Sequence, residues 1–383
     1  MKQKRIFKPL LLASVALIIA GVLFLSFDNI PTSSFFLIPG LAFLAISFQG
    51  FRHLRGFSYT FWILTAVAAS LYYPHFFEGV GDFSFKKLIV PLLQLIMFGV
   101  GTTMGFRDFS GIIRAPKAVF IALVCQFTIM PIVGFTIAHS FPFPVEIAAG
   151  IILIGCVPSG LASNVMAYIA NANVALSITV TALATLLAPL MTPLLMKLLA
   201  GQFVEIGFFD MMIDIIKMVI IPILAGLLYN YFLGGKFPWL DRAMPVVSMV
   251  SIAVIITIIT AAGRDSLLAV GPLLVLAVLL HNLSGFILGY SASRLLRLDE
   301  RSCRTIAIEV GLQNGGLASG LALTMGKVAT VGLAPAIFGP LMNITGSSLA
   351  TWWRSKPPQA TTEENTSRES ILSPSARKAK EPL

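Results

Sequence analysis

The stretch Glu309-Val310-Gly311-Leu312-Gln313-Asn314-Gly315-Gly316 gathers one carboxylate, two amides and three glycines into a turn or two. It lies inside a long apolar segment. Glu309 is the one carboxylate near the middle of any such segment. An ionisable group at bilayer depth is costly unless paired, so by default it marks an ion or substrate path. Glycine loosens the helix, and freed carbonyls are tolerated at that depth only where protein or a cavity surrounds them. A broken helix with one acid and two amides can surround a small cation with oxygen.

A second interruption lies about 150 residues earlier, at Pro158-Ser159-Gly160-Leu161-Ala162-Ser163-Asn164. Sliding the chain by 150 sets Ser163-Asn164 over Gln313-Asn314. Gly and Pro are common in membrane helices, so one such break says little. Two at corresponding places, one with a buried acid, point to the binding site of a transporter.

Other polar groups fall at comparable depth. Gln126 lies in the apolar run from Lys117, and Ser177 and Thr181 share a helix face at i and i+4. With Ser163, Asn164, Glu309, Gln313 and Asn314 they form a set of hard oxygen ligands. Such a set suits an alkali or alkaline-earth cation, not zinc or copper. A single carboxylate favours a monovalent ion over calcium. Each residue also has a structural reading. Ser and Thr often bond their own helix, and Gln126 can simply join two helices. His281 and Asn282 read as packing residues, Asp214 and Lys217 as an interfacial pair, and Trp352-Trp353 beside Arg354 as an interfacial anchor. Cys125, Cys156 and Cys303 are too scattered for a disulfide framework and read as small core residues.

The elements that must position these groups are membrane helices. Of 383 residues, 57% are hydrophobic and only 11% charged, far below the globular norm. The net charge of +10 is no nucleic-acid signal, because the basic residues sit in short loops between apolar runs. About twelve spans are expected, from Pro9 to Phe27, Phe35 to Phe51, Tyr59 to Phe76, Lys87 to Gly105 and Lys117 to Ser140. The series continues with the broken Pro144 to Ala170, then Val174 to Leu199, Phe209 to Leu233, Arg242 to Gly263 and Leu267 to Ser293. It closes with the broken Arg301 to Met325 and Ala329 to Trp353. The first run is longer than a signal-peptide core and no small-x-small site follows it, so it reads as a retained helix.

With a cytoplasmic N-terminus, 21 of the 27 Lys and Arg residues fall on the inside. Both termini are therefore expected in the cytoplasm, and the protein in the lipid bilayer of a bacterial inner (plasma) membrane. The segment 355–383 is rich in Pro, Ser, Thr, Glu and Lys and reads as a disordered cytoplasmic tail. The sequons at Asn282, Asn343 and Asn365 fall in the membrane or the cytosol and are expected to carry no glycan.

The runs Gly155-Cys156-Val157-Pro158-Ser159-Gly160-Leu161-Ala162-Ser163-Asn164-Val165-Met166-Ala167-Tyr168, Asn173-Val174-Ala175-Leu176-Ser177 and Glu309-Val310-Gly311-Leu312-Gln313-Asn314 resemble the bile acid:sodium symporter family. The resemblance covers roughly Tyr59 to Trp353. It implies an all-α polytopic membrane protein of two inverted five-helix repeats, 57–200 and 201–354, arranged as panel and core domains with two crossing broken helices. Residues 1–56 then supply two additional N-terminal transmembrane helices.

The resemblance also implies two Na+ sites. Ser163, Asn164, Ser177, Thr181 and Glu309 match the first. Gln126, Glu309, Gln313 and the backbone of Val310 and Leu312 match the second. The implied substrate is an organic anion, bile-acid-like or a small carboxylate, near Asn314 and Asn343. Two residues depart from the family's frequent Pro-Gly-Gly-Thr-Ala-Ser-Asn. Ser159 replaces a glycine, and Leu161 replaces a threonine that faces the substrate region. Leu161 therefore leaves the anion open, as the sequence leaves the oligomeric state. The expected function is sodium-coupled symport by alternating access. One alternative is an uncoupled or proton-driven permease of the arsenite type, which would lean on Cys156. The other is an intramembrane enzyme, disfavoured because no paired aspartates, His-Glu-x-x-His helix or Ser–His dyad occurs.

Overall fold

In a bilayer every backbone polar group must be satisfied within the protein, so apolar runs of this length fold as helices. The computed structural model describes residues 4–27, 30–51, 54–105 and 115–358. Its helices are α1 (Lys4–Ser26), α2 (Ile30–Phe48), α3 (Ser58–Tyr72), α4 (Ile89–Thr103) and α5 (Pro116–Ser140). Next come α6 (Val145–Cys156), α7 (Ala162–Ile169), α8 (Val174–Leu199) and α9 (Phe208–Leu233). The last are α10 (Pro238–Ala262), α11 (Arg264–Leu295), α12 (Glu300–Gly311), α13 (Gly315–Thr324) and α14 (Leu333–Arg354).

Among the described residues eight helices are long and apolar enough to cross a membrane: α1, α2, α4, α5, α8, α9, α10 and α11. The other four expected crossings fall on α3, on α14 and on the interrupted pairs α6/α7 and α12/α13. Asn173, Asp299 and Asn314 cap α8, α12 and α13, accepting from Leu176 N, Ser302 N and Leu317 N at 3.0–3.1 Å. Short polar caps of this kind satisfy amide groups that a helix start leaves unpaired.

The interruptions fall where the sequence places them. Pro158 has no N–H and disfavours helix before it, so α6 stops at Cys156. The two gaps then cross. Ser159 and Gln313 form an isolated antiparallel bridge. Gly160 N donates to Leu312 O at 3.0 Å, and Asn314 N donates to Pro158 O at 2.9 Å. Each break thus satisfies backbone groups the other has freed. A methyl group on Gly160 would lie 3.0 Å from Gln313 O, so a larger residue there would press the two breaks apart by a few tenths of an ångström.

Two helical groups flank a cavity. The group α3, α4, α9 and α10 packs together, and α5–α8 pack with α11–α14. The pair α1–α2 docks on α3. The Ser33 hydroxyl donates to Gly21 O at 2.8 Å and meets the Tyr72 hydroxyl at 2.9 Å. Ser34 meets the Tyr73 hydroxyl at 2.8 Å, and Ser58 donates to Ala45 O at 2.8 Å. The N-terminal pair is therefore an extension of the first group.

Several details differ from the sequence reading. The third crossing ends at Tyr72, and Pro74 opens a single helical turn at His75–Glu78. A small hairpin, Gly79–Val80 against Phe83–Ser84, follows. Asp214 and Lys217 form no ion pair among the described residues. Lys217 lies in a widened i→i+5 turn at Ile216–Ile220, where the regular i, i+3 spacing does not hold. Trp352 is half exposed, as an interfacial anchor requires, but Trp353 is only 6% exposed and packs under Arg304. The tail 359–383, with Asn365, and the loop holding Arg107 and Arg114 lie outside the described residues.

Helix ends sort to two opposite faces. Arg304 ties Ala170, Trp353 and Lys356 together at one end. At the other end Lys327 pairs with Glu146, Gln202 with His139, and Arg264 with the Leu71 carbonyl. Asp82 follows α3 on the Leu71 side, whereas Ser355 follows α14 on the Arg304 side. Single-cysteine labels at Asp82 and Ser355 are expected to react from opposite sides of sealed vesicles. Labelling from one side only would break the twelve-crossing topology.

Candidate functional site

Glu309 is 0% exposed, two residues before α12 ends. Three hydroxyls hold its carboxylate. Ser159 and Thr181 donate to Oε2 at 2.6 and 2.9 Å, and Ser177 donates to Oε1 at 2.5 Å. Ser177 also reaches Asn164 Oδ1 at 2.8 Å, Thr181 reaches it at 3.4 Å, and the Ser163 and Thr181 hydroxyls lie 3.2 Å apart. The i, i+4 spacing of Ser177 and Thr181 puts both on the face of α8 that meets the crossing. All five residues of the first expected ion set therefore meet at one point. The donors are all oxygen, and among the described residues no three His, Cys, Asp or Glu side chains cluster as a softer metal would require.

The second set gathers around the Gln313 side chain. Gln126 donates to Val157 O at 3.1 Å and to Gln313 Oε1 at 2.9 Å, and Gln313 donates to Val310 O at 2.6 Å. Leu312 O accepts from Gly160 N. Gln126 Oε1 is buried with no partner among the described residues. A buried acceptor left unpaired is expensive, and a cation is one way to satisfy it. Gln126 thus does join two helices, and its oxygen is left over. No hydrogen bond links the Glu309 carboxylate to Gln126 or Gln313. Both of its oxygens turn toward the first set.

A cavity of about 680 Å3 separates the two helical groups, and Leu161, Asn164, Thr181, Gln313, Asn314 and Asn343 all line it. Asn314 spends its Oδ1 on capping Leu317 N, which leaves Nδ2 without a protein partner among the described residues. Asn343 spends its Nδ2 on Gly339 O at 2.8 Å, so it offers the cavity an acceptor. The opposite wall includes Met97, Met104, Met244 and Met249. No described lining residue carries a charge. The starts of α7 and α13, at Ala162 and Gly315, also line the cavity.

Sequence reasoning missed two residues. Ser159 had a signal, because the slide of 150 that pairs the breaks also sets Ser159 over Glu309. Asn282 had none that separated it from packing. It donates to Gly311 O at 2.7 Å and accepts from Thr345 at 2.5 Å, so it serves a carbonyl at the second break. Cys156 is fully buried and does not line the cavity, and its carbonyl accepts from Thr192 at 2.8 Å. Cys156→Ser is expected to leave uptake unchanged. Loss of uptake in that variant would favour a thiol-dependent carrier.

Interrupted helices that cross inside a bundle, with hard oxygen ligands at the crossing and a cavity beside it, define the class of secondary transporters. Residues 90–270 match the family described as Sodium Bile acid symporter family. The chain is 37% identical to the uncharacterized sodium-dependent transporter YocS of Bacillus subtilis, over 79% of this chain and 93% of that one. It is 35% identical to the probable sodium/metabolite cotransporter BASS1, chloroplastic, of Arabidopsis thaliana, covering 70% and 67% of the two chains. It is 30% identical to the ileal sodium/bile acid cotransporter of Oryctolagus cuniculus, covering 63% and 71%. The chain belongs to the sodium bile acid symporter family, as the motifs at the two breaks suggest. It is an integral membrane transporter, not an enzyme.

Proposed function

We propose that the protein couples sodium to the uptake of an organic monoanion by alternating access. The observation that carries this reading is Glu309, fully buried at the crossing with three hydroxyls on its carboxylate. A first Na+ is held by Ser163, Asn164, Ser177, Thr181 and Glu309. A second is held by Gln126, Glu309, Gln313 and the Val310 and Leu312 carbonyls, so that Glu309 serves both ions. The orphaned Gln126 oxygen supports the second site. Two sodium ions, one carboxylate and one monoanion sum to zero charge, and a neutral assembly crosses a low-dielectric barrier at least cost.

The anion sits in the cavity, its carboxylate near Asn314 Nδ2 and the helix starts at Ala162 and Gly315, where amide groups favour negative charge. The methionine wall takes its apolar part, bile-acid-like or smaller. Residues 57–200 and 201–354 act as inverted repeats, which the matched breaks support. The bias of Lys and Arg supports cytoplasmic termini, and the relative in a bacterium supports a bacterial inner membrane. The cavity reaches Gly56, Met104 and Met244, at the face of the Ala170–Arg304–Trp353 cluster. At the other face the two groups are in contact. A methyl on Gly263 would meet Ala329 O at 2.4 Å, and one on Gly320 would meet Leu93 Cδ2 at 2.6 Å. With that topology, the conformation is open to the cytoplasm.

The test is uptake of labelled organic anions into proteoliposomes with and without a sodium gradient. Uptake is expected to require Na+ with a Hill coefficient above one. Equal uptake in potassium or choline buffer would remove sodium coupling.

A further inference from the structure

A second cavity lies away from the ion site, at the end of the bundle that carries Arg304. It measures about 380 Å3 and is bounded by α11, α12, the end of α14 and Lys356. Its inner half is apolar, with Phe286, Ile287 and Leu349. Ile287 is 63% exposed, so this half opens sideways to the apolar outer surface. Its outer half holds Tyr290, Ser291, Arg304, Trp352 and Lys356.

The charges in that outer half do not cancel. Glu300 is spent twice, accepting from Arg304 Nε at 2.8 Å and from the Tyr290 hydroxyl at 2.7 Å. Arg304 in turn gives its other hydrogen bonds to the Ala170, Trp353 and Lys356 carbonyls. Lys356 has no carboxylate partner among the described residues, and its ammonium stands 4.4 Å over the Trp352 ring. Among the described residues the pocket is left with one uncompensated positive charge, and the Ser291 hydroxyl that also lines it has no hydrogen-bond partner there. The exposed Arg294, Arg297 and Arg354 lie at the same end of the bundle.

We propose that this groove binds an anionic phospholipid. Its phosphate sits on Lys356 and Ser291, and an acyl chain lies along Phe286, Ile287 and Leu349. Charge complementarity and position select this occupant. Indole and phenol rings sit at headgroup level in membrane proteins. Basic pockets between helix ends on the cytoplasmic side take anionic headgroups. A zwitterionic lipid brings no net charge to answer Lys356, and a soluble anion leaves the apolar half unfilled. The site lies on the helical group that holds the ion ligands, so a lipid there would bind the part of the protein that carries the transported ions.

The probes are palmitoyl-oleoyl phosphatidylglycerol, the matching phosphatidylcholine and inorganic phosphate, each added to purified full-length protein in detergent. Bound lipid is counted by native mass spectrometry and thermal stability is followed in parallel. One phosphatidylglycerol is expected to bind in preference to phosphatidylcholine and to raise the melting temperature. Lys356→Gln is expected to lower that preference about five-fold, as removal of one interfacial cation does. Trp352→Leu tests the ring at a second exposed position. Equal binding of the two lipids would overturn the proposal. So would a preference that survives both substitutions, or protection by inorganic phosphate as strong as by the lipid. None of these readouts depends on the transported anion.

Discussion

Glu309→Gln is expected to abolish sodium-dependent uptake while leaving the fold intact. The amide keeps the shape of the side chain and can still meet Ser159, Ser177 and Thr181, whose hydroxyls lie 2.5–2.9 Å from the carboxylate oxygens. The charge is lost, and one acceptor oxygen becomes an NH2 donor toward which a hydroxyl must turn its lone pair. A unit charge at about 4 Å, with an effective dielectric near 20, is worth about 4 kcal/mol. That corresponds to roughly a thousand-fold in the apparent sodium constant. Glu309→Ala should be hardly worse. Thr181→Ala removes one neutral oxygen, about 1–2 kcal/mol, so the sodium constant should rise about ten-fold with transport still detectable. Sodium titrations of uptake on the three variants give the ordering. Normal sodium dependence in Glu309→Gln would mean that the carboxylate is not a ligand, and the proposed ion sites would fall with it.

Arg304→Met is expected to lower stability by about 3 kcal/mol, the scale of breaking a buried ion pair by removing one partner. Arg304 is buried and holds Glu300 at 2.8 Å, but its larger task is to join chain ends. Its guanidinium donates to Ala170 O and Trp353 O, each at 3.1 Å, and to Lys356 O at 2.7 Å. These carbonyls lie at the C-terminal ends of α7 and α14, where a cation also answers the helix dipole. It further stands 5.6 Å over the Trp353 ring. Methionine fills the space and leaves the Ala170 and Lys356 carbonyls without a donor among the described residues, whereas Trp353 O still accepts from Lys356 N at 3.0 Å. Arg304→Lys should recover only part of the loss, because an ammonium lacks the planar fork. Thermal unfolding in detergent measures both. An unchanged melting temperature for Arg304→Met would show that the ends are held by other contacts.

Much of this protein was legible because membrane insertion is a local, compositional problem. Apolar runs report helices, and the Pro158 and Gly311–Gly316 interruptions report breaks wherever the chain later goes. A lone carboxylate in an apolar run is expensive in any arrangement, which is why Glu309 stood out before any contact was known. The i, i+4 pair Ser177 and Thr181 needed only helix geometry. The short third helix was less legible, since apolar residues continue to Phe76 although Pro74 ends the regular backbone.

What the sequence by itself determined was the class of protein, the two interrupted helices and the oxygen-bearing residues near them. Tertiary structure decided which oxygen meets which. The crossing angle of the breaks brings Ser159 to Glu309 and Gln126 to Gln313, and no local signal specifies an angle between segments about 150 residues apart. Packing also made Asn282, which reads as a packing residue, the partner of the Gly311 carbonyl, and it made Arg304 the tie between helix ends. The attachment of α1–α2 to α3 and the closed half opposite the cavity arise in the same way. Hydropathy measures what each residue gains by leaving water, whereas a binding site depends on the relative placement of distant backbones, which many weak contacts set together.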